Sequence, residues 1–403
     1  MYKPLILVFA IFITFTPVSA EIILFSPASN SVSTSDVRDI TNGPDNSVIF
    51  ATTNGISYYD GSWRISHMDW LPEHKGQMDD FVVAVEYDNN NNLWIGYAGG
   101  LQIFDGKTYT TITDQQLLKN RIINDIQAWK NEMWISTGNA GLHRVVDGDW
   151  KWFQPFEEGG LDCYIVNDIA IDYNTGSVIV VSKKYGGFIC SDINNSLTFR
   201  QIGKSQNALK GMTGVVSNPP GGVYFFNSTD IVQYHTLTGI SPILNINDLP
   251  AGTHRIYDIS VTKDGKIVIG TDFGISCWKN DELILHHDRA SGLGNNIVQK
   301  VFVDNAGRWW FANKGYVGYY YDNKSYYDNK SVPVIPVNYV DYDIKSESNG
   351  ERSPDTSVSE LPHDVRDENS DTVLSSDNGE NNKDSLLEKI KKFIDSLFKL
   401  LPL

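Results

Sequence analysis

An all-β, seven-bladed β-propeller is the fold that this sequence predicts, and three observations predict it. A phrase of two short apolar strands separated by glycine turns, LWIGYAGGLQIFDG at 93–106, recurs about every 40 to 46 residues between Ser35 and Tyr321. A repeat of that period with several strands per unit is typical of propeller blades. The chain is also rich in aromatic residues that favour strands, with 20 Tyr, 18 Phe and 10 Trp. Finally, the segment after residue 20 matches the end of a repeat, as ring closure requires.

Each repeat is anchored by one aliphatic residue in its first strand, and successive anchors lie 45, 41, 43, 46, 44 and 42 residues apart. The anchors are Ile40, Val85, Ile126, Ile169, Val215, Ile259 and Val301. Four anchors directly follow an aspartate, at Asp39, Asp125, Asp168 and Asp258. After the anchor come a polar turn, an apolar second strand, a short turn that usually contains glycine, a third strand and, in repeats one to four and six, a more polar fourth strand. Sheets that cover both faces explain the apolar second strand, and an outer rim explains the polar fourth strand.

The N-terminal segment predicts how the ring closes. Residues 22–40 align without a gap on residues 108–126, which run from the fourth strand of one repeat into the first strand of the next. The last repeat has three strands of its own, which end near Tyr321. We therefore expect Ile22 to Phe25 to supply its fourth strand and to join the two ends of the ring. The predicted propeller domain covers residues 21–337.

The two ends of the chain differ in composition from the repeats. Residues 1–20 have the layout of a cleaved export signal, with Lys3, an apolar run of about 12 residues and small residues before Glu21; a retained membrane anchor is the alternative. Residues 338–384 are strongly acidic and predict a disordered linker. Residues 385–401 predict an amphipathic helix, with apolar residues three or four positions apart. Its apolar face comprises Leu386, Ile390, Phe393, Leu397 and Leu401.

The C-terminal helix has three interpretations. It could lie on a membrane surface, with its lysines near the headgroups. It could bind in a groove of a partner protein or of another copy of the chain. It could also pack against its own propeller.

The repeats resemble those of a known family. LWIGYAGGLQIFDG, MWISTGNAGLHRVVDG and IVIGTDFGISCW resemble the two-component regulator propeller repeat, and SGLGNNIVQKVFVDNAGRWWFA is similar to the passage between blades in that family. The resemblance covers about residues 22–327 and is looser in repeats four and five, which lack the second-strand Trp. Members commonly form the extracytoplasmic sensor of a histidine kinase. The resemblance therefore implies a sensor-type propeller, here without a kinase module.

Charge and residue pattern argue against several classes of function. A net charge of −16 argues against nucleic-acid binding, which needs a basic stripe. We find no residues spaced as metal ligands and no nucleophile elbow or phosphate loop, and we predict no cofactor, no metal and no catalytic residue. The His286–His287 pair is expected on a solvated rim strand. Three cysteines allow at most one disulfide, between Cys163 and Cys190; three buried thiols, with Cys277, are the alternative.

A propeller commonly binds its ligand on the face where connections into first strands and turns between second and third strands meet the central channel. Basic and aromatic residues on that face of an acidic protein suit a polar or anionic small molecule or a glycan. The connections into first strands offer Arg38, Arg121, Tyr164, His254, Arg255 and Asn295. The turns between second and third strands offer Asn54, Tyr97, Asn139, Lys183, Lys184, Tyr185, Asp272, Phe273, Lys314 and Tyr316.

The sequence thus predicts an exported, non-enzymatic ligand-binding, sensor or protein-interaction propeller that acts outside the cytoplasmic membrane, secreted or at the cell surface or in the periplasm. One alternative is a propeller enzyme, a lyase or glycoside hydrolase, that uses the channel face. A structural cell-surface scaffold is the other alternative. Four N-x-S/T sequons are candidate glycosylation sites, at Asn194, Asn227, Asn323 and Asn329.

Overall fold

The computed structural model describes residues 21–29, 31–68, 76–193 and 196–321, which form a ring of seven four-stranded antiparallel sheets. The predicted all-β, seven-bladed propeller is confirmed. The predicted export signal, the acidic linker and the C-terminal helix with Leu386, Ile390, Phe393, Leu397 and Leu401 lie outside the described residues. In the described part of the chain no helix has the length and apolarity to cross a membrane.

The strands of the first three blades follow the N-terminal strand β1 (Glu21–Phe25). Blade 1 is β2 (Val37–Asn42), β3 (Val48–Thr52), β4 (Gly55–Tyr59) and β5 (Trp63–Ser66). Blade 2 is β6 (Val82–Tyr87), β7 (Leu93–Tyr97), β8 (Leu101–Phe104) and β9 (Tyr109–Ile112), followed by the one-turn helix α1 (Gln115–Leu118). Blade 3 is β10 (Ile123–Trp129), β11 (Glu132–Thr137), β12 (Leu142–Val146) and β13 (Asp149–Phe153).

The remaining blades repeat the same order. Blade 4 is β14 (Asp168–Asp172), β15 (Ser177–Ser182), β16 (Gly186–Ile193) and β17 (Ser196–Gln201). Blade 5 is β18 (Gly214–Ser217), β19 (Val223–Phe226), β20 (Asp230–His235) and β21 (Gly239–Asn245). Blade 6 is β22 (Ile256–Val261), β23 (Ile267–Thr271), β24 (Gly274–Lys279) and β25 (Glu282–His287). Blade 7 contains β26 (Val298–Val303), β27 (Trp309–Asn313) and β28 (Tyr316–Tyr321). Short 3₁₀ turns occur at Pro27–Ser29, Pro44–Asn46, Lys204–Gln206 and Ile246–Asp248.

The N-terminal strand closes the ring as predicted. β1 pairs antiparallel with β28, from Glu21 opposite Tyr321 to Phe25 opposite Val317, so that it becomes the fourth strand of blade 7. Phe25 also reaches blade 1, because its ring lies 5.1 Å from Trp63 and 5.5 Å from Tyr59 between centroids. The first residues of the ring and its last blade are thus joined by both backbone pairing and aromatic packing.

The hydrophobic core lies between blades and not within one central mass. The seven anchors are buried, and each aliphatic cluster takes residues from two neighbouring sheets. Trp94, from the apolar second strand of repeat two, is buried in β7 and donates its indole N–H to Asp88. The second strands therefore hold the blades together, as their continuous apolar sequences predict.

Three local features differ from, or complete, the sequence predictions. β21 of blade 5 was not predicted, and a register shift in its pairing with β20 lies near Pro242, which cannot donate a backbone hydrogen bond to the sheet.

His286 and His287 are half-buried and not solvated as expected. The His286 ring stacks on Phe273 with centroids 5.6 Å apart, and the His287 ring contacts Tyr320.

The three cysteines, all within the described residues, are buried thiols and no disulfide joins any two of them. Cys163 and Cys190 lie in one apolar cluster between blades 3 and 4.

Candidate functional site

Aspartates at the inner ends of the first strands join neighbouring blades around the central channel. Asp39 accepts hydrogen bonds from the amides of Ile40 on its own strand and Val85 on the next blade, at 2.8 and 2.9 Å. Because a carboxylate has two oxygens, it can satisfy one amide of each blade at once. The aspartates that precede the first-strand anchors therefore act as links between blades.

The same link recurs in three other blades. Asp125 joins Ile126 to Ile169, and Asp168 joins Ile169 to Val215. In blade 6, Asp258 accepts from the amide of Val301 in blade 7 at 3.0 Å. In blades 1, 3 and 6 the pairing of the first strand shifts register directly before the aspartate, as at a β-bulge. Such a bulge redirects a side chain, here towards the neighbouring blade.

The sequence singled out these aspartates by position but missed two further titratable groups of the channel, Lys300 and Glu86. Lys300 occupies the equivalent position in blade 7, and its Nζ lies 3.4 Å from the Asp258 carboxylate. Burial opposes its charge, but the carboxylates of Asp258, Asp39 and Asp168 outweigh burial and raise the pKa of Lys300. Glu86 follows the anchor of blade 2 and accepts a hydrogen bond from the Thr41 hydroxyl at 3.0 Å.

Desolvation inside the channel raises the pKa of these carboxyl groups. It raises the pKa of Glu86 to about 8, with a further contribution from the charge of Asp39. Burial raises the pKa of Asp168 to about 6, and burial with the charge of Asp168 raises that of Asp125. For Asp258 burial also dominates and raises the pKa, although Lys300 opposes it.

A cavity of about 490 Å³ extends from these carboxylates to the polar turns that follow the first strands. Asn42, Lys263 and Asn305 line that end of it, on the face opposite to the predicted one. None of the predicted ligand-binding residues lines this cavity. Within the described residues no group of three or more His, Cys, Asp or Glu side chains is arranged to hold a metal ion. The aspartates are instead occupied by backbone amides.

On the predicted face, a second pocket of about 630 Å³ lies at blade 4 and brings four predicted residues together. Tyr164 comes from the connection into that blade, and Lys183, Lys184 and Tyr185 come from its turn between second and third strands. The remaining lining residues, which the prediction missed, are Ile165, Asn167, Ser182, Lys210 and Gly211. We call these nine residues the blade-4 pocket.

Backbone and amide hydrogen bonds fix the walls of the blade-4 pocket relative to each other. The Gly211 amide donates to the Lys183 carbonyl at 2.9 Å, which joins the connection into blade 5 to the turn of blade 4. The Asn167 side-chain oxygen accepts from the Lys183 amide at 2.8 Å. On the opposite side, the Tyr164 carbonyl accepts from the Gly141 amide of blade 3. The pocket is thus built from three connected segments and not from one loose loop.

Aromatic groups and cations form the surface of the blade-4 pocket. Tyr164 is 53% exposed, and its ring lies 4.8 Å from that of Phe156, which is 47% exposed and lies 5.9 Å from Tyr185. The Lys184 ammonium lies 5.2 Å from the Tyr185 ring. No carboxylate among the described residues pairs with the three pocket lysines; nearby Asp162 pairs with Lys204.

Tyr97 is a correction to the predicted site. The sequence placed it in a turn that opens to the channel, but it is the last residue of β7, fully buried, and its hydroxyl donates to Gln102. The physical reason is that the last side chain of each second strand turns back into its own blade. Thr52 and Thr271 show the same behaviour, because their hydroxyls donate to carbonyls three residues further on.

The other predicted residues are distributed around the face, blade by blade. In blade 6, Asp272 accepts from the amides of His254 and Arg255, and the Arg255 guanidinium lies 5.0 Å from the Tyr257 ring. Phe273 stacks on His286, as described above. These contacts hold local turns and form no second pocket with the lysines.

The remaining predicted side chains lie on other blades. The Arg121 guanidinium donates to the Thr113 carbonyl, and the side-chain oxygen of Asn139 accepts from the side-chain NH₂ group of Asn120. Arg38 lies 5.1 Å from the exposed Phe81 ring. Asn54 and Lys314 are exposed, whereas Asn295 and Tyr316 are half-buried.

Of the four sequons, only Asn227 has a described side chain; Asn194, Asn323 and Asn329 lie outside the described residues. The Asn227 oxygen accepts from the amides of Thr229 and Asp230. Glycosylation stays a prediction at all four positions.

No protein-family model and no curated protein matches the sequence. Solved structures with the same fold include the extracellular domain of a putative hybrid two component system from B. thetaiotaomicron, with a TM-score of 0.60, 15% identity and coverage of 74% of this chain and 42% of that chain. Virginiamycin B lyase from Staphylococcus aureus is similar with a TM-score of 0.55 and 13% identity, and the match covers 75% of this chain and 99% of the lyase. YCF48 bound to D1 peptide has a TM-score of 0.55 and 12% identity, and the match covers 79% of this chain and 98% of YCF48.

The chain thus spans less than half the length of the sensor ectodomain, and such low identities establish a shared fold and not a shared activity. The protein is a seven-bladed β-propeller with extracellular sensor domains among its structural neighbours.

Proposed function

We propose that this protein is an exported, non-enzymatic propeller that binds a ligand or partner outside the cytoplasmic membrane and serves as a sensor or interaction module. The blade-4 pocket is the observation that carries the proposal. It combines concave shape, exposed aromatic rings and lysines that no described carboxylate pairs with, which are typical of a binding site and are not explained by the packing of the ring.

Two further observations support the extracytoplasmic sensor role. The repeats resemble the two-component regulator propeller repeat, and residues 1–20 have the pattern of an export signal. The neighbours from B. thetaiotaomicron are described as extracellular domains of two-component or one-component systems. YCF48, described as bound to a peptide, supports the interaction alternative within the same proposal.

A thermal-shift screen of the purified chain from Glu21 onwards, against small molecules and glycans, tests the proposal. Ligands of the proposed site should raise the melting temperature of the wild-type protein and lose that effect in Tyr164→Ala. Leu237→Ala, which truncates a side chain 88% exposed in blade 5, is the matched control. The proposal fails if no ligand stabilises the wild type, or if every stabilising ligand acts equally on Tyr164→Ala.

A propeller enzyme that uses the channel is the second candidate, and Glu86 is the observation that favours it. A buried carboxyl with a pKa raised to about 8 is able to donate or accept a proton near neutral pH. Glu86 lines the channel cavity together with the hydroxyl-bearing Thr41 and Tyr173. The neighbouring virginiamycin B lyase shows that propellers of this architecture include an enzyme.

Product detection after incubation with candidate lyase and glycosidase substrates tests this candidate. Turnover by the wild type that is lost in Glu86→Gln, with an unchanged melting temperature, would assign the reaction to the channel. Turnover that persists in Glu86→Gln would remove Glu86 from any such role.

A further inference from the structure

We propose that the blade-4 pocket selects small organic anions that carry a flat apolar ring, such as aromatic carboxylates, in preference to sugars. This inference rests on the proposed binding function and specifies its ligand class. Three observations lead to it: the sign of the charges at the pocket, the aromatic composition of its walls, and the small number of neutral polar groups in it.

The charge of the pocket selects anions. Lys183, Lys184 and Lys210 line it from two separate segments, and the hydrogen bond from the Gly211 amide to the Lys183 carbonyl holds those segments together. Among the described residues none of the three ammonium groups is neutralised by a carboxylate. A ligand carboxylate placed between them would gain charge-assisted hydrogen bonds without breaking an existing ion pair.

The walls of the pocket select a flat apolar body. The two lining tyrosines, Tyr164 and Tyr185, both pack edge-to-face against Phe156, which lies next to the lining, at interplanar angles of 62° and 71°. Ile165, 46% exposed, adds an aliphatic surface beside Tyr164. Exposed aromatic rings held by one another lose little side-chain freedom when a second ring stacks on them.

The scarcity of neutral polar groups argues against a sugar. Apart from the phenol hydroxyls of Tyr164 and Tyr185, Asn167 and Ser182 are the neutral polar side chains of the lining, and Ser182 is buried. The Asn167 oxygen is already engaged by the Lys183 amide, so that only its NH₂ group remains to donate. A pyranose carries several hydroxyl groups, and each one buried without a partner opposes binding. An aromatic acid needs partners for its carboxylate only.

Isothermal titration of the purified chain with 2-naphthoate, 2-naphthalenemethanol and glucuronate tests the ligand class. The naphthoate is expected to bind, the neutral alcohol to bind at least about tenfold more weakly, and the sugar acid not to bind measurably. Raising the salt concentration should weaken the naphthoate complex, because the lysines are partly exposed to solvent.

Variants then locate the complex. Lys183→Gln with Lys210→Gln should weaken naphthoate binding about tenfold, whereas Lys107→Gln, at an exposed lysine of blade 2, should not change it. Tyr164→Ala should weaken naphthoate and the neutral alcohol alike. Melting curves of each variant confirm that the ring is folded.

Each outcome decides between the two proposals. Equal affinity for naphthoate and the alcohol, or no effect of the lysine variants, overturns the anion preference but leaves the pocket as a binding site. Glucuronate bound through the same lysines, with no naphthoate complex, overturns the preference for an apolar ring. If none of the three probes binds, the ligand class is refuted, and the function as a binding module then depends on the separate thermal-shift screen.

Discussion

Substitution of Phe25 provides the sharpest test of how this ring is held closed. Phe25 is the last residue of β1, and its ring contacts Tyr59, Trp63, Trp310 and Tyr319 at centroid distances of 5.1 to 6.4 Å. Phe25 therefore lies near the N-terminus in sequence, pairs through its backbone with blade 7, and packs its side chain at the junction with blade 1. Phe25→Ala removes the packing and leaves the backbone pairing in place.

The size of the effect follows from the partial burial of Phe25. A fully buried Phe replaced by Ala costs about 3–5 kcal/mol, so a half-buried Phe against four aromatic rings should cost about 2 kcal/mol. For a ring of about 300 residues, whose unfolding entropy is about 0.6 kcal/mol/K, that corresponds to a decrease in melting temperature of roughly 3 °C. Deletion of residues 21–29 should lower it at least as much, because it also leaves β28 as an unpaired edge strand.

Urea unfolding followed by tryptophan fluorescence, together with calorimetry, measures both changes. Leu237→Ala is again the control, since it truncates an apolar side chain that is 88% exposed to solvent. It should alter the free energy of unfolding by less than about 0.5 kcal/mol. If Phe25→Ala and the deletion both unfold like this control, closure by the N-terminal strand does not stabilise the ring, and the reasoning is wrong.

Three further predictions concern the channel and the core. Asp168→Ala should destabilise the ring by about 2 kcal/mol in urea unfolding, because it leaves the buried Val215 amide without its acceptor, while the Ile169 amide keeps Asp125 as its other acceptor; an unchanged midpoint would contradict the linking role. The pKa of Asp168 is raised to about 6 and that of Glu86 to about 8. Between about pH 4 and pH 8 the folded state therefore binds more protons than the unfolded state, so the free energy of unfolding should decrease as the pH rises through that window. The melting temperature should therefore be lower at about pH 8 than at about pH 5.5, and Glu86→Gln should remove the upper part of that decrease; a melting temperature that rises with pH would refute the assignment. Burial raises the pKa of the Cys163 and Cys277 thiols to about 12, so a thiol reagent at about pH 8 should label neither until urea is added; rapid labelling of the native protein would show that these thiols are accessible.

The fold could be predicted from the sequence because its determinants are local and repeated. The blades share the order of polar turn, apolar strand and short turn, with a glycine in that last turn in every blade except the fifth. At Gly55 and Gly274 the backbone has a positive φ, and a neighbouring carbonyl lies where a Cβ would be. Ring closure was also predictable, since the N-terminal segment aligns on a fourth strand. Only β21 escaped, because Pro242 and a register shift make it unlike its counterparts.

The candidate site was predicted less completely, and the reasons are specific. Tyr97 was assigned to the turn that it forms with Gly99 and Gly100, yet the equivalent residues Thr52, Thr137 and Thr271 are all buried. Comparison of that position across the repeats would have assigned Tyr97 to the core. Lys210 was missed although it lies five residues before its anchor, as Arg121 and Tyr164 do. What no pattern supplies is that the connections into blades 4 and 5 enclose a pocket with the turn of blade 4.

The charges of the ring separate its construction from its recognition surface. Asp39, Asp125 and Asp168 lie in the channel, where an acidic cluster invites interpretation as a site, but each carboxylate is occupied by amides of two blades. The lysines of the blade-4 pocket lie on the surface of an acidic protein, where carboxylates to pair with them are plentiful, yet no described carboxylate does so. A charged group whose partners lie within the fold stabilises the fold, whereas a charged group without a partner in the fold is available to a ligand. By that criterion we propose the blade-4 pocket as the recognition site, whereas the aspartates of the channel belong to the architecture of the ring.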